Sequence, residues 1–382
     1  MAWRLIRQEG GTPNLSKQLI YDIASLSNLE RAYQKARSGT TKYDKEAMLF
    51  AENETDNLLK IQKSLLDGTY EFSGYIRFTV HEPVERIVDA PHFVDKIVQL
   101  AILFKVKETI YNMFIYDSYA CIDKKGTHKA VERVSHFLRK SYWEYGEYTV
   151  IIKADVRKFF YSINRDVLKG ELKRIFKKKL YCKRTFKLMC KIIDSTDIID
   201  ELGLPLGNVL SQLESNIYMN RVDQFCKRKL GLKYYVRYAD DMVICVENRE
   251  KAEQALQELN HFIESELKLK LNKRKTKIFP IDQGVNAYGF KIYRTHRLLR
   301  NDSKTVIKRK AKKLPRLLYQ GRISQEKVEQ IFNSWYGHAR YASSRNFINK
   351  LLDKHDYIYL THKDVIKVDM SKIYQRGDLY VS

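Results

Sequence analysis

The stretch Tyr234–Val246, "YYVRYADDMVICV", sets two apolar runs on either side of Tyr238-Ala239-Asp240-Asp241. Alternation along both runs predicts two β-strands. The short polar interval between them predicts a tight hairpin with the acidic pair at its tip. Adjacent carboxylates on a hairpin repel each other and are poor for stability. They make chemical sense when divalent cations neutralise them. The plain alternative is an ordinary Asp-Asp turn.

Asp155 weighs against that alternative. The segment "EYTVIIKADVRKFF" reads as a buried strand that ends on Asp155. A strand-terminal aspartate followed later by a hairpin Asp pair supplies the parts needed for two metal ions. One ion would lower the pKa of an attacking hydroxyl, and the other would stabilise a leaving pyrophosphate.

The rest of the composition agrees with a polyanionic partner. The 382 residues carry 70 Lys and Arg against 46 Asp and Glu, a formal net charge of +24. That surplus points to nucleic acid or an anionic membrane. The hydrophobic share of 44% excludes global disorder. Tyrosine contributes 26 residues, and Tyr beside Lys and Arg can stack bases while phosphates are neutralised. No run approaches ~18 apolar residues, and "MAWRLIRQEGG" lacks the apolar centre of a signal peptide. Five cysteines without a C-x-x-C pair read as reduced thiols, not a zinc site. The expectation is a cytoplasmic protein with no membrane partner.

Along the chain, residues from about Ser16 to Asp67 read as helical, with Gly68 ending that region. "YIRFTVHEPVERIVDA" predicts a hairpin with Pro83 near its turn. "HFVDKIVQLAILFKVKETIYNMF" predicts one long amphipathic helix. A Lys-rich helical stretch, the loop "LGLPLGN" and the helix "SQLESNIYMNRVDQFCKRKL" precede the acidic hairpin. A helix from Arg249 to Lys268 follows it, then short strands through "KTKIFPI" and "AYGFKIY". From Arg297 onward the chain is basic and mostly helical. The absence of long linkers predicts subdomains packed into one body.

The ordered blocks "ERIVDAPHFVDKIVQ", "YDSYACIDKKGTHKAV", "ADVRKFFYSI", "GLPLGNVLSQ", "YVRYADDMVI", "LKLKLNKRKT" and "AYGF" resemble those of a reverse transcriptase, from about Leu29 to Leu352. The resemblance implies an α+β right-hand polymerase. Its parts would be a helical extension over 1–70, fingers over 71–150, and a palm with an antiparallel sheet packed on helices over 151–292. A basic helical thumb over 293–352 and a C-terminal tail over 353–382 would follow. It further implies Mg²⁺ (two ions, with Mn²⁺ as the alternative) and deoxynucleoside triphosphate substrates. Asp155, Asp240 and Asp241 would be the catalytic, metal-holding aspartates.

By the same resemblance, Lys275 would protonate departing pyrophosphate, with Lys273 and Arg274 as neighbouring alternatives. Phe160 would be the steric gate against a ribose 2′-OH, and the neighbouring Phe159 would pack the core. Arg86 and Lys96 would touch the incoming triphosphate, while a solvated surface charge is the default for each. Tyr288, Gly289 and Phe290 match the primer-grip hairpin. Leu206, Gly207 and Gln212 lie at the nascent base pair. Many relatives carry Gln-Gly where this chain has Leu206-Gly207. The pattern aliphatic-Gly-Asn-x-x-Ser-Gln is typical of diversity-generating retroelement enzymes and of nearby bacterial groups linked to antiphage defence. His338 within "WYGHARY" reads as packing or a phosphate contact.

After the palm there is no ribonuclease H-like acidic constellation and no His/Cys cluster of an HNH endonuclease. The expected activity is therefore RNA copying without cleavage of target DNA. The template would be a cognate noncoding RNA, the product nascent cDNA, and an accessory protein or homo-oligomer has room in this reading. Two rivals remain at this stage: a template-independent nucleotide transferase on the same palm, and a non-catalytic RNA-binding scaffold.

Overall fold

The computed structural model describes residues 15–81, 85–195 and 202–377. Four helices lead: α1 (Leu15–Ala24), α2 (Leu26–Ala36), α3 (Lys45–Glu52) and α4 (Glu54–Asp67). The antiparallel pair β1 (Tyr75–Val80) and β2 (Arg86–Pro91) follows, with Phe78 opposite Val88. The turn expected at Pro83 lies outside the described residues. Next come α5 (Phe93–Tyr111), α6 (Thr127–Tyr145) and β3 (Val150–Asp155). The middle of the chain is α7 (Phe159–Ser162), α8 (Arg165–Ile175), α9 (Lys183–Asp194) and α10 (Ser211–Gln224). Then β4 (Tyr234–Tyr238), β5 (Asp241–Val246) and α11 (Arg249–Leu267) lead into β6 (Lys277–Pro280). Three short strands follow: β7 (Val285–Ala287), β8 (Phe290–Ile292) and β9 (Arg297–Leu299). The last elements are α12 (Asn301–Tyr319), α13 (Gln325–Ala339), α14 (Arg345–Lys354), β10 (Ile358–Leu360), β11 (Ile366–Val368) and α15 (Met370–Tyr374).

The chain divides into two compact units that interleave along the sequence. The first takes the described residues up to Lys124, with Ala154–Gly231 and Ala255–Thr276. Its centre is α5. Six consecutive residues, Ile97 to Ile102, are buried there. The helix is therefore sheathed on all sides through that turn and a half, not amphipathic as its sequence suggested. Asn28 ties α2 to it by donating to the carbonyls of Ile23 and Ala101. Asp95 at its first turn accepts from the Tyr70 hydroxyl at 2.7 Å and from the Ser73 amide at 2.9 Å. Burial and the neighbouring carboxylate push the Tyr70 phenol well above its ordinary range.

The second unit takes Lys125–Lys153, Leu232–Gln254 and Lys277 onward. Its four-stranded antiparallel sheet runs β4-β5-β3-β6, and α6 packs on β4 and β5. The buried face of α6 repeats at Ala130, Val134, Phe137 and Ser141, the three- and four-residue spacing that one helix face requires. A three-stranded sheet, β7-β8-β9, belongs to the same unit. The basic helices α12 to α14 share one apolar cluster with the residues that follow them: Tyr357, Ile358, Ile366, Val368 and Ile373 sit among Ile307, Leu314, Leu318, Val328 and Phe332. The segment after residue 352, expected as a tail, thus carries a hairpin and a helix that complete this core. Among the described residues no helix is long and apolar enough to cross a membrane.

Candidate active site

In the second unit the acidic hairpin closes on the pair Tyr238–Asp241, leaving Ala239 and Asp240 as a two-residue turn. Asp240 is thus in the turn, and Asp241 heads β5. Ala239 takes φ +55°, a left-handed conformation that costs an alanine energy and must be imposed by its surroundings. Arg237 helps impose it. This arginine is fully buried, and its Nη1 donates to the Ala239 carbonyl at 2.9 Å. Lys153 Nζ lies 3.0 Å from Asp241 Oδ2 and donates to the Asn286 carbonyl at 2.5 Å. The Tyr288 hydroxyl donates to the Asp241 carbonyl at 3.3 Å. Thr127 at the start of α6 donates to the Tyr238 hydroxyl at 3.1 Å.

The hairpin is thereby fastened to β7 and to the Tyr288-Gly289 turn between β7 and β8. That turn has positive φ at both residues, +52° and +90°, the geometry that a two-residue connection needs. A Cβ on Gly289 would lie 2.9 Å from His338 Cε1, so α13 sits against the turn at a distance only glycine allows. His338 also makes a hydrogen bond to the Gly289 backbone, and burial holds its imidazole below the ordinary range. Phe290 is buried, with its ring centroid 4.2 Å from that of His338.

In the first unit, Asp155 is nearly fully buried. Its carboxylate accepts from Asn272 Nδ2 at 3.2 Å and from Lys275 Nζ at 3.1 Å. Its backbone carbonyl accepts from the Asn272 amide at 2.7 Å, and its amide donates to Thr276 Oγ1 at 3.4 Å. Of the three neighbouring cations in "LNKRKT", Lys275 is therefore the one at Asp155. Phe159 is buried and Phe160 half-buried, with centroids 5.4 Å apart.

The loop before α10 is bound to the β1-β2 pair and to α7. The Asp89 amide donates to the Leu206 carbonyl at 2.7 Å, and the Leu204 amide to the Phe160 carbonyl at 2.8 Å. Gly207 has φ +118°, and a Cβ there would meet Val88 Cγ1 at 2.8 Å and the Asp89 carbonyl oxygen at 2.9 Å. Leu206 is half-buried, and Gln212 is exposed on the first turn of α10. Arg86 is exposed at the start of β2. Lys96 donates from Nζ to the Ala36 carbonyl at 3.0 Å and to Thr41 Oγ1 at 3.2 Å, and burial lowers its pKa. It anchors α5 to the end of α2.

Sequence reasoning missed Lys153, Asn272, Arg237 and Glu214. A lysine inside the apolar run "VIIKAD" was a usable signal, because lysine is seldom buried without a partner. Glu214 lies within the buried stretch 213–219 of α10. Both its carboxylate oxygens are buried without a hydrogen-bond partner, and burial pushes its pKa up to about 8.

Carboxylates such as Asp155, Asp240 and Asp241 are hard oxygen donors of the kind Mg²⁺ takes. Among the described residues, no group of three or more His, Cys, Asp or Glu is drawn together as a ready metal cage. Two of the three aspartates instead hold lysines.

The second unit thus holds the Ala239-Asp240 turn braced by Arg237, Asp241 held by Lys153 and the Tyr288-Gly289 turn against α13, and the first holds Asp155 beside Lys275. The reverse transcriptase (RNA-dependent DNA polymerase) family model matches residues 84–292, and the chain belongs to that family. Its fold is α+β, with antiparallel sheets among helices, and its class by family is RNA-directed DNA polymerase. Protein YkfC of Escherichia coli K12 is 27% identical, over 63% of this chain and 73% of YkfC. The group II intron-encoded protein LtrA of Lactococcus lactis is 24% identical, over 62% of this chain and 50% of LtrA. The chain thus spans only half the length of that relative. The apo telomerase of Candida tropicalis superposes with a TM-score of 0.48 at 11% identity, over 80% of this chain and 64% of the telomerase.

Proposed function

We propose that this chain copies an RNA template into DNA from deoxynucleoside triphosphates, using Asp155, Asp240 and Asp241 as metal-holding carboxylates. The observation that carries the reading is the locked hairpin. Arg237, Lys153 and Tyr288 all converge on Ala239 and Asp241, and such reinforcement suits a carboxylate pair that must not move during chemistry. Two Mg²⁺ ions, when bound there, supply charge neutralisation at the triphosphate and ease deprotonation of the primer hydroxyl.

The chain's own residues do the rest. Lys275 is exposed enough to leave Asp155 and deliver a proton to pyrophosphate. Phe160 closes the sugar pocket to a 2′-hydroxyl. Arg86 meets the triphosphate, while Leu206, Gly207 and Gln212 border the new base pair. Tyr288, Gly289 and Phe290 grip the primer end, and α12 to α14 hold the duplex through backbone charge.

We infer a dedicated, structured noncoding RNA as template, in antiphage defence or in diversity-generating retroelement mutagenesis. Leu206 supports this setting, since it offers no hydrogen bond to the nascent pair. The test is sequencing of nucleic acid that copurifies with the wild type and with the Asp240→Ala/Asp241→Ala variant. One defined RNA in both, with complementary DNA only in the wild type, is expected. RNA in both and cDNA in neither, after addition of Mg²⁺ and all four deoxynucleotides, would replace the enzyme with a scaffold.

A further inference from the structure

We propose that the second unit carries a groove for single-stranded RNA along α6. Two cavities of about 860 and 300 Å³ lie on this unit, and Glu132 lines both. The outward face of α6 supplies His128, Glu132, Ser135 and Arg139, spaced as one helix face requires and opposite the buried stripe that meets the sheet. From His128 to Arg139 that face runs about 16 Å, room for a few nucleotides.

The chemistry of the walls fits a polynucleotide. Lys125, Lys129, Arg139, Arg294 and Arg297 line the two cavities with Glu132 as the acidic lining residue, and Arg294 also pairs with Asp282 at 3.1 Å. Each cavity also holds a stacked ring pair. His128 lies on Tyr341 with centroids 3.6 Å apart and planes within 15°. Tyr293 lies on His296 at 4.7 Å, also within 15°. Rings held parallel and cations alongside them are what unpaired bases and their phosphates need. Burial keeps His128 below its ordinary pKa, so it stacks as a neutral ring. Gly126 and Gly337 line the first cavity, and a Cβ on either would meet nothing within 4 Å, so the floor there is open.

The occupant is RNA for a reason of mechanism, which rests on the polymerase reading. Nascent DNA leaves a copying enzyme paired with its template, so a groove for one strand suits an unpaired stretch of the RNA outside the copied segment.

The test needs no synthesis, and its failure is therefore separable from failure of the polymerase reading. The full chain carrying Asp240→Ala/Asp241→Ala is titrated against a labelled eight-nucleotide oligo(U) by fluorescence anisotropy. Adding Lys129→Glu and Arg139→Glu, both on exposed positions, is expected to weaken binding about tenfold or more. A charge-matched control, Lys60→Glu/Lys63→Glu on α4, is expected to leave it within twofold. Ultraviolet crosslinks from 4-thiouridine are expected on peptides containing His128 or Tyr341. In protein crosslinked inside cells, the label on those peptides is expected to be released by ribonuclease. Equal weakening by both charge variants, crosslinks confined to other peptides, or release by deoxyribonuclease alone would overturn the proposal.

Discussion

Asp155 and Asp241 each meet one lysine, Lys275 at 3.1 Å and Lys153 at 3.0 Å, yet the two lysines are built differently. The Lys275 side chain is 62% exposed and leans on a buried carboxylate from the surface. The Lys153 side chain is 15% exposed, rises from the sheet, and is also spent on the Asn286 carbonyl. An exposed ion pair is weak and exchangeable, whereas breaking an enclosed one leaves a charge stranded. The contrast separates a cation that can leave its aspartate during a reaction from one that fixes an aspartate in place.

The largest effect should come from the carboxylates that both lysines serve. Asp155→Asn or Asp241→Asn is expected to reduce nucleotide incorporation by at least about 10³-fold while RNA retention, measured by filter binding, stays unchanged. Comparable loss of both would point to misfolding instead.

The lysines should then divide. Lys275→Ala is expected to lower kcat by about 10²-fold and leave urea unfolding untouched. Lys153→Met is expected to lower unfolding stability by about 3 kcal/mol, because Asp241 is left enclosed without its cation. If the two variants behave alike, the distinction fails.

Smaller effects sharpen the second unit's rigidity. Gly289→Ala drives a Cβ into His338 and forces an unfavourable φ. Its expected signature is a KM for primer–template raised about tenfold with kcat little changed, consistent with 1–3 kcal/mol of strain. In the first unit, Glu214 provides a pH test. Its folded pKa is raised to about 8 by burial. The stability linked to its neutral form is therefore fully present below the ordinary carboxyl range and is lost as pH climbs through about 8. Glu214→Leu should raise the melting temperature at pH 8 and narrow its advantage toward pH 5; a pH-independent difference would contradict the buried neutral acid. The smallest effect is expected at Leu206. Leu206→Gln should shift the misincorporation spectrum a few-fold, and equal spectra would remove the fidelity idea.

Much of this was legible in the sequence because the signals were local. The hairpin around Asp240 and Asp241 and the strand ending on Asp155 each follow from alternation and turn chemistry within a dozen residues, while the turn at Gly289 was legible through the resemblance alone. What was not legible depended on partners far along the chain. Lys96 looked like a surface cation until α2 supplied the Ala36 carbonyl. Lys153 gave only the hint of a charge in an apolar strand, since Asp241 lies 88 residues on. The residues after 352 read as a tail because their apolar positions are sparse and find their partners on the earlier helices α12 to α14. α5 looked amphipathic because polar Gln99 breaks its apolar run, though Gln99 is itself buried.

The most direct test of the central claim is primer extension by the purified chain on a defined RNA template with a DNA primer, Mg²⁺ and all four deoxynucleotides, read by sequencing the product. The account predicts DNA complementary to the template, absent when the RNA is omitted and absent from Asp155→Asn. Untemplated product with no RNA present, or full-length complementary product from Asp155→Asn, would contradict it.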